Sequence, residues 1–324
     1  MMTPQRPLQR PCQHGMTLVE LMVALTIAAL LMLAASALLV VSSGSYRQQS
    51  EAVRLNDGGR YALDTIARAI RQAALVSWDG KGAPVGTAAG DSASVSGLDA
   101  RSVSKNSDGI DTPLVGAVNG SDVLALRFVG AGTDAGGDGS VLNCAGFGVG
   151  AAKSAQERGW SIFYVAIDAD GEAELRCKYR GENSWGADAI VRGVDSFQVL
   201  YGLDTDVPPD GVANQYLNAS AISALDDALV LVGADADAKA RDKAARSFWK
   251  RVVSIRVALL LHGEPGSRPD KLPLQFDLFG KDYSDAQGSA DPGVRIDEAL
   301  LPAAQRGRVR KLVETTIALR NGPG

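Results

Sequence analysis

Glu20 is the one charged side chain in the apolar run MTLVELMVALTIAALLMLAASALLVV, from Met16 to Val41. A carboxylate inside an apolar span costs about 2.5–3.5 kcal/mol at mid-membrane and less near the helix end, so such a group normally has a partner. The preceding residues supply one. Gly15 is a small residue at which a peptidase can cut, and a cut between Gly15 and Met16 creates a new α-amino group. Met16 and Glu20 are i and i+4, so on a helix the amine and the carboxylate share one face. The chemistry predicted here is charge neutralisation in a low-dielectric setting, within one subunit or between staggered neighbours. It is not catalysis.

The remaining reactive residues are few. The chain has 2 histidines and 3 cysteines, and His14 and Cys12 lie in the N-terminal segment ahead of the cut. The mature chain keeps Cys144 and Cys177, and an even pair is what an exported, oxidised domain carries. A disulfide between them stabilises by roughly 3–4 kcal/mol on the chain-entropy model. His262 has no second histidine in the mature chain with which to share a metal, and the expectation is a solvent-facing or capping role. Asp204, Asp206 and Asp210 precede Gly211, yet they lack the spacing and terminal Glu of an EF-hand loop, and Pro208-Pro209 interrupts them. They predict an Asp-rich surface turn. Gly130 to Gly136 (GAGTDAG) follows a strand, but its third Gly is displaced and no helix follows, which argues against a dinucleotide loop. The sequence has neither a P-loop nor a Gly-x-Ser-x-Gly elbow. These features point to no catalytic residue, no metal site and no cofactor, and to a chain that is not an enzyme. A net charge of −4 offers no basic footprint for nucleic acid.

The elements that must carry these residues follow from the patterning. Residues 1–15 hold Arg6 and Arg10 and no acid, a leader that predicts a cytoplasmic N-terminus with the rest exported. Residues 16–41 exceed the ~20 needed to cross a bilayer core, and are too long for an ordinary secretory signal. Residues 42–78 continue as an amphipathic helix. Leu55, Gly59, Ala62, Ile66, Ala69, Ile70 and Ala73 recur at three- and four-residue steps, with Arg60, Asp64, Arg68 and Arg71 facing away. Gly58-Gly59 weakens the helix by about 1 kcal/mol per Gly relative to Ala, predicting a bend or local melting. The helix is expected to end near Val76–Trp78, before DGKGAP. Residues 79–324 form a β-rich domain. Within it 80–121 is irregular, and strands are predicted at Leu124–Val129, Ile162–Ile167, Ala173–Tyr179, Val194–Tyr201, Val252–Leu261 and Val309–Leu319. The turn Asp168–Gly171 joins the second and third as a hairpin. The sheet is expected to alternate apolar inner with polar outer positions. Residues 223–247 are predicted to be loop with some helix.

Gly15-Met-Thr-Leu-Val-Glu20 after a basic leader and before a long apolar run resembles the class III signal of type IV prepilins. It departs in His14, where Lys or Arg is commoner, in a first mature Met rather than Phe, and in lacking a helix-kinking Pro. Further segments resemble the PilW-type minor pilins: RYALDTIARAIRQA from Arg60, the Tyr164–Cys177 hairpin, GVDSFQVLYGLDTD from Gly193, WKRVVSIRVALLL from Trp249 and TTIALRN from Thr315. The resemblance implies an α+β, pilin-like fold, a long N-terminal helix packed on an antiparallel sheet domain. It implies cleavage after Gly15 by prepilin peptidase, N-methylation of Met16 and a filament-assembly role for Glu20. It also implies a place in the bacterial inner membrane, with the C-terminal domain periplasmic, and then in the pilus. The implied partners are the bilayer, the inner-membrane assembly platform, the major pilin and other minor pilins, with which the chain would prime assembly at the tip. Two alternatives stay open. A type II secretion pseudopilin of the GspJ type shares the N-terminus but is typically shorter and lacks YGLDTD. A membrane-anchored periplasmic ligand-binding or enzymatic domain requires a convergent polar pocket that the sequence does not offer.

Overall fold

The computed structural model describes residues 15–73, 88–134, 136–268, 270 and 272–319. Arg6, Arg10, Cys12 and His14, the expected helix end at Val76–Trp78 and the terminal Asn321 lie outside the described residues. Two compact units divide between Gln49 and Ser50. One helix, α1 (Leu18–Ala73), contributes to both. In the first unit every described residue is exposed. In the second, the helix buries Leu55, Gly59, Ala62, Ile66, Ala69, Ile70 and Ala73 and leaves Arg60, Asp64, Arg68 and Arg71 exposed, as the spacing predicts.

The rest of the second unit is mostly antiparallel sheet. After β1 (Val95–Leu98) comes a two-residue pair, β2 (Ser102–Val103) with β3 (Pro113–Leu114). Then follow β4 (Val123–Phe128), β5 (Gly159–Ile167), β6 (Ala173–Arg180) and β7 (Trp185–Arg192). With β1 they form a 5-stranded sheet in the order β1-β4-β5-β6-β7. The chain next lays down β8 (Val194–Leu203) and β9 (Gln215–Leu217), and two helices, α2 (Ala219–Asp227) and α3 (Ala236–Arg246). It continues through β10 (Val252–His262), β11 (Gln275–Asp277), α4 (Lys281–Gln287), β12 (Arg295–Asp297) and β13 (Arg310–Ala318). The second sheet is 4-stranded, β13-β10-β8-β9, and β11 pairs with β12.

The main core lies where the buried helix face meets both sheets. Ile66 and Ile70 cluster with Phe163, Val165 and Leu175 of the first sheet and with Phe197, Val199, Ile255, Val257 and Leu259 of the second. Gly58-Gly59 does not melt the helix, which runs through both residues. A Cβ at Gly59 would sit 3.0 Å from Leu261 Cδ1 and 3.0 Å from Val313 Cγ1, and one at Gly58 would sit 3.1 Å from Val191 Cγ2. The glycines let backbone approach strand side chains closely, and that packing offsets their poor helix propensity.

The expected polar outer faces are a correction. Every residue of β8 is buried, and all of β10 but Arg256. On the second sheet Leu200, Ala258 and Leu260 are covered by Leu278, Phe279, Val294 and Ile296 from the β11–β12 region. On the first sheet Val123, Ala125, Ile162 and Tyr164 are covered by Val103 and Ile110. Lys178, a nominally outward residue of β6, is buried there. Its Nζ donates to Gly109 O at 2.8 Å and lies 4.7 Å from the centre of the Trp185 ring. Burial depresses its pKa to about 8. The irregular region thus acts as a lid on the sheet, not as a free loop.

Candidate functional site

At the N-terminal site Gly15, Met16 and Thr17 precede the helix and are exposed, and no non-neighbouring atom lies within 4 Å of a Cβ placed at Gly15. The segment where the sequence predicts a cut is therefore exposed among the described residues. Helix α1 starts at Leu18, which makes Thr17 its N-cap. Glu20 N–H donates to Thr17 Oγ1 at 3.2 Å, and Thr17 N–H donates to Glu20 Oε2 at 2.9 Å. Thr17 Oγ1 also donates to Glu20 Oε2, at 3.0 Å. This is a reciprocal capping box, with the carboxylate at the positive end of the helix dipole. In the uncut chain the Met16 nitrogen belongs to a peptide bond, so Glu20 meets Thr17 instead of an amine. Thr17 was missing from the residues singled out above. The signal for it was present, since Thr17-Leu-Val-Glu20 is itself the Ser/Thr-x-x-Glu pattern ahead of an apolar run.

Beyond Glu20 the helix carries Leu, Ile, Val and Met on all sides with no cover from the described residues: Leu30 is 66% exposed, Met32 73% and Val41 70%. Apolar surface around the whole circumference requires lipid or other helices as its surroundings.

Cys144 and Cys177 are joined by a disulfide across a sequence separation of 33, with their Cα atoms 5.8 Å apart. Cys177 is fully buried in β6. Cys144 sits in the loop before β5, where its N–H donates to Ser161 Oγ at 3.0 Å. The bond fastens that glycine-rich loop to the sheet.

His262 is a correction. It is 4% exposed, not solvent-facing, and ends β10 between two acids. Its Nδ1 is 2.9 Å from Asp195 Oδ1, and its Nε2 contacts Glu172. Arg310 donates to Asp195 from the other side. Burial raises the Asp195 pKa, but His262 and Arg310 outweigh it and hold the carboxyl below its ordinary range. The sequence could not show this, because Asp195 and His262 meet only through the β8–β10 pairing.

The Asp204–Asp210 turn does bring its three acids together, with one oxygen of each within 4.8 Å of the others. Those oxygens serve the turn. Asp204 accepts from Asp206 N–H at 3.1 Å and from Gly211 N–H at 2.6 Å, and Asp210 accepts from Val212 N–H at 2.8 Å. An open groove beside the Gly130–Gly136 loop is lined by Asp134, Phe147, Arg158 and Tyr179. The Arg158 guanidinium there is held by Ala155 O at 3.0 Å, Ser92 O at 2.7 Å and Ser94 Oγ at 3.1 Å.

Comparison with known proteins bears on both ends of the chain. The family described as Type IV Pilus-assembly protein W matches residues 162–321. The Prokaryotic N-terminal methylation motif matches residues 10–36, which include Gly15, Met16 and Glu20. No curated protein matches in sequence. Among solved structures, a type IV-like pilin from Thermus thermophilus is similar at 13% identity and a TM-score of 0.37, over 83% of this chain and 96% of that one. The family match spans the strands from β5 to β13, and the methylation motif the start of an exposed apolar helix. Together the two matches support the role of a type IV pilus minor pilin, similar over residues 162–321 to the type IV pilus-assembly protein W family.

Proposed function

We propose that this chain primes assembly of the pilus and sits at its tip with other minor pilins, as a structural subunit and not an enzyme. In this reading prepilin peptidase cuts between Gly15 and Met16, and Met16 is N-methylated. The leader lies on the cytoplasmic side of the inner membrane and the sheet domain in the periplasm. Once cut, the Met16 amine of one subunit faces the Glu20 carboxylate of an adjoining helix. The apolar circumference of the helix passes from lipid to other pilin helices as the assembly platform raises the subunit. The observation that carries this reading is the single carboxylate, one turn beyond an open Gly15, at the start of an uncharged and uncovered apolar helix.

The test is a chromosomal deletion, with sheared surface pili analysed by mass spectrometry after complementation. The expected result is few surface pili without the chain. On complementation, pili return and contain the chain in small amounts, beginning at Met16. Normal piliation in the deletion strain, with the complementing chain absent from sheared pili, overturns the proposal.

A further inference from the structure

Three carboxylates distant in sequence converge in the second unit. Asp99 stands in the turn after β1, Asp122 directly before β4 and Asp291 between α4 and β12. One oxygen of each lies within 4.8 Å of the others. Asp122 and Asp291 are each 1% exposed, and Asp99 is half-buried. Among the described residues, every hydrogen-bond donor that reaches them is neutral. Asp99 accepts from Ala219 N–H at 2.9 Å and Ser220 N–H at 2.6 Å, at the start of α2. Asp122 accepts from Ala100 N–H at 3.1 Å and Val199 N–H at 2.9 Å. Asp291 Oδ2 accepts from the Tyr283 hydroxyl at 2.8 Å.

Among the described residues, Asp291 Oδ1 has no donor within hydrogen-bond distance, although it is buried; the neutral Asn218 side chain acts on that carboxyl only from farther off. A buried carboxylate oxygen with nothing opposite it is costly and points to a ligand at that place. The Tyr201 hydroxyl, also buried and unpartnered, lies against Gly97, so close that a Cβ there would be 1.9 Å away. It reaches from β8 of the second sheet to β1, and burial, then the charges of Asp122, Asp99 and Asp291, push its pKa well up. Burial, and then the charges of Asp99 and Asp291, push the Asp122 carboxyl well above its ordinary range. That is the electrostatic consequence of acids set together with no positive charge among them.

The convergence does not depend on the carboxylates themselves. Backbone flanking Asp122 and Asp291 is locked together: a Cβ at Gly120 would be 2.7 Å from Pro292 C, and one at Gly293 2.6 Å from Gly120 O. Gln198 Nε2 donates across the seam to Gly120 O at 2.8 Å. The acids are held at their spacing by packing that has to be overcome before they can separate.

We propose that Asp99, Asp122 and Asp291 bind one Ca2+ ion, which ties the turn after β1, the start of β4 and the loop before β12 into one unit. The donors are all oxygen, which selects a hard cation over zinc or copper. Calcium takes oxygens at 2.3–2.6 Å, so ligands around one ion lie no more than about 5 Å apart, which the observed spacing meets. The site is separate from the N-terminal helix and independent of the pilus reading.

The full chain in detergent, stripped with EGTA, is titrated with Tb3+ under tyrosine excitation and then with Ca2+. The expected result is sensitised Tb3+ emission, lost on adding Ca2+, with one Ca2+ bound per chain and a higher thermal midpoint when it is bound. Asp291→Asn and Asp99→Asn should each weaken Ca2+ at least tenfold, with folding checked by circular dichroism, while Asp206→Asn in the surface turn leaves it unchanged. The wild-type titration needs no variant: absence of a saturable Ca2+ site overturns the proposal. Undiminished binding in either Asp291→Asn or Asp99→Asn also overturns it, as does an equal loss in Asp206→Asn.

Discussion

Glu20 has one task in the structure and a second, distinguishable one in the proposed function. In the uncut chain it completes the capping box with Thr17, a kind of interaction whose loss costs about 0.5–2 kcal/mol. In a filament it would meet the Met16 amine in a low-dielectric core, where breaking a buried ion pair costs roughly 3–5 kcal/mol. Glutamine at the same position keeps the capping hydrogen bond and removes the charge. Glu20→Gln and Glu20→Ala should therefore both be cut normally after Gly15, and both should enter pili poorly, as immunoblots of sheared fractions would show. If Glu20→Gln assembles like wild type, the cap is what matters and the charge pair is wrong. Gly15→Val should instead accumulate as uncut precursor, visible as a slower band and an absent Met16 N-terminus. Among the described residues a side chain there meets no neighbour, so the loss would come from the peptidase, which needs a small residue at the cut, and not from misfolding.

At the scale of elements, the buried stripe of α1 and the disulfide hold the sheet domain together. Ile66 and Ile70 are fully buried between the sheets, so Ile66→Ala should lose about 2–5 kcal/mol in urea unfolding. Gly59→Leu should lose about 1–3 kcal/mol despite its better helix propensity, because Leu261 and Val313 already fill the space. A gain in stability there would show that the close approach is not tight. Cys144→Ser and Cys177→Ser each remove a bond worth roughly 3–4 kcal/mol by loop entropy, and the double variant should be no worse than either single one. Cys177→Ser also buries a hydroxyl in β6, so any excess loss belongs to that variant.

Across the second unit, a buried ion network joins parts that the strand order alone leaves separate. Asp195 of β8, His262 of β10 and Arg310 of β13 meet Glu172 from the β5–β6 hairpin turn. Arg310 also reaches Glu298, which holds Arg268 at 2.7 Å. Glu298, like Asp195, is raised by burial and lowered further by its arginines and backbone donors, with a net depression. A depressed carboxyl contributes stability that is present above its unfolded pKa and is lost as pH falls through the folded value. With ordinary values of 3.8 and 4.5, this contribution should be intact near neutrality and fall away below about pH 4.5. Asp195→Asn should cost about 3–5 kcal/mol at pH 7 and flatten the acid limb of stability between pH 5 and about pH 3, measured by urea unfolding. An unchanged acid limb would sink the assignment.

Two kinds of information separate here. Features that repeat along the chain were legible from it. The Gly15–Glu20 spacing and the apolar run are contiguous, and the three- and four-residue steps from Leu55 to Ala73 mark a helix face without reference to any partner. The period-two runs likewise located β4, β5, β6, β8, β10 and β13 to within a few residues. Edge and cover elements were not legible. Strand β7, WGADAIVR, is a half-buried edge with no clear apolar alternation, and it exists because β6 offers it a ladder. The polar residues that alternation assigned to solvent are buried, because the lid carrying Val103 and Ile110 and the β11–β12 segment fold over the sheets. The meeting of Asp99, Asp122 and Asp291, and of Asp195 with His262, depends on contacts between residues far apart in sequence. A local pattern records the period of an element and the faces it makes available. Which face is covered, and which acids are pressed together beneath it, is decided only when distant segments pack.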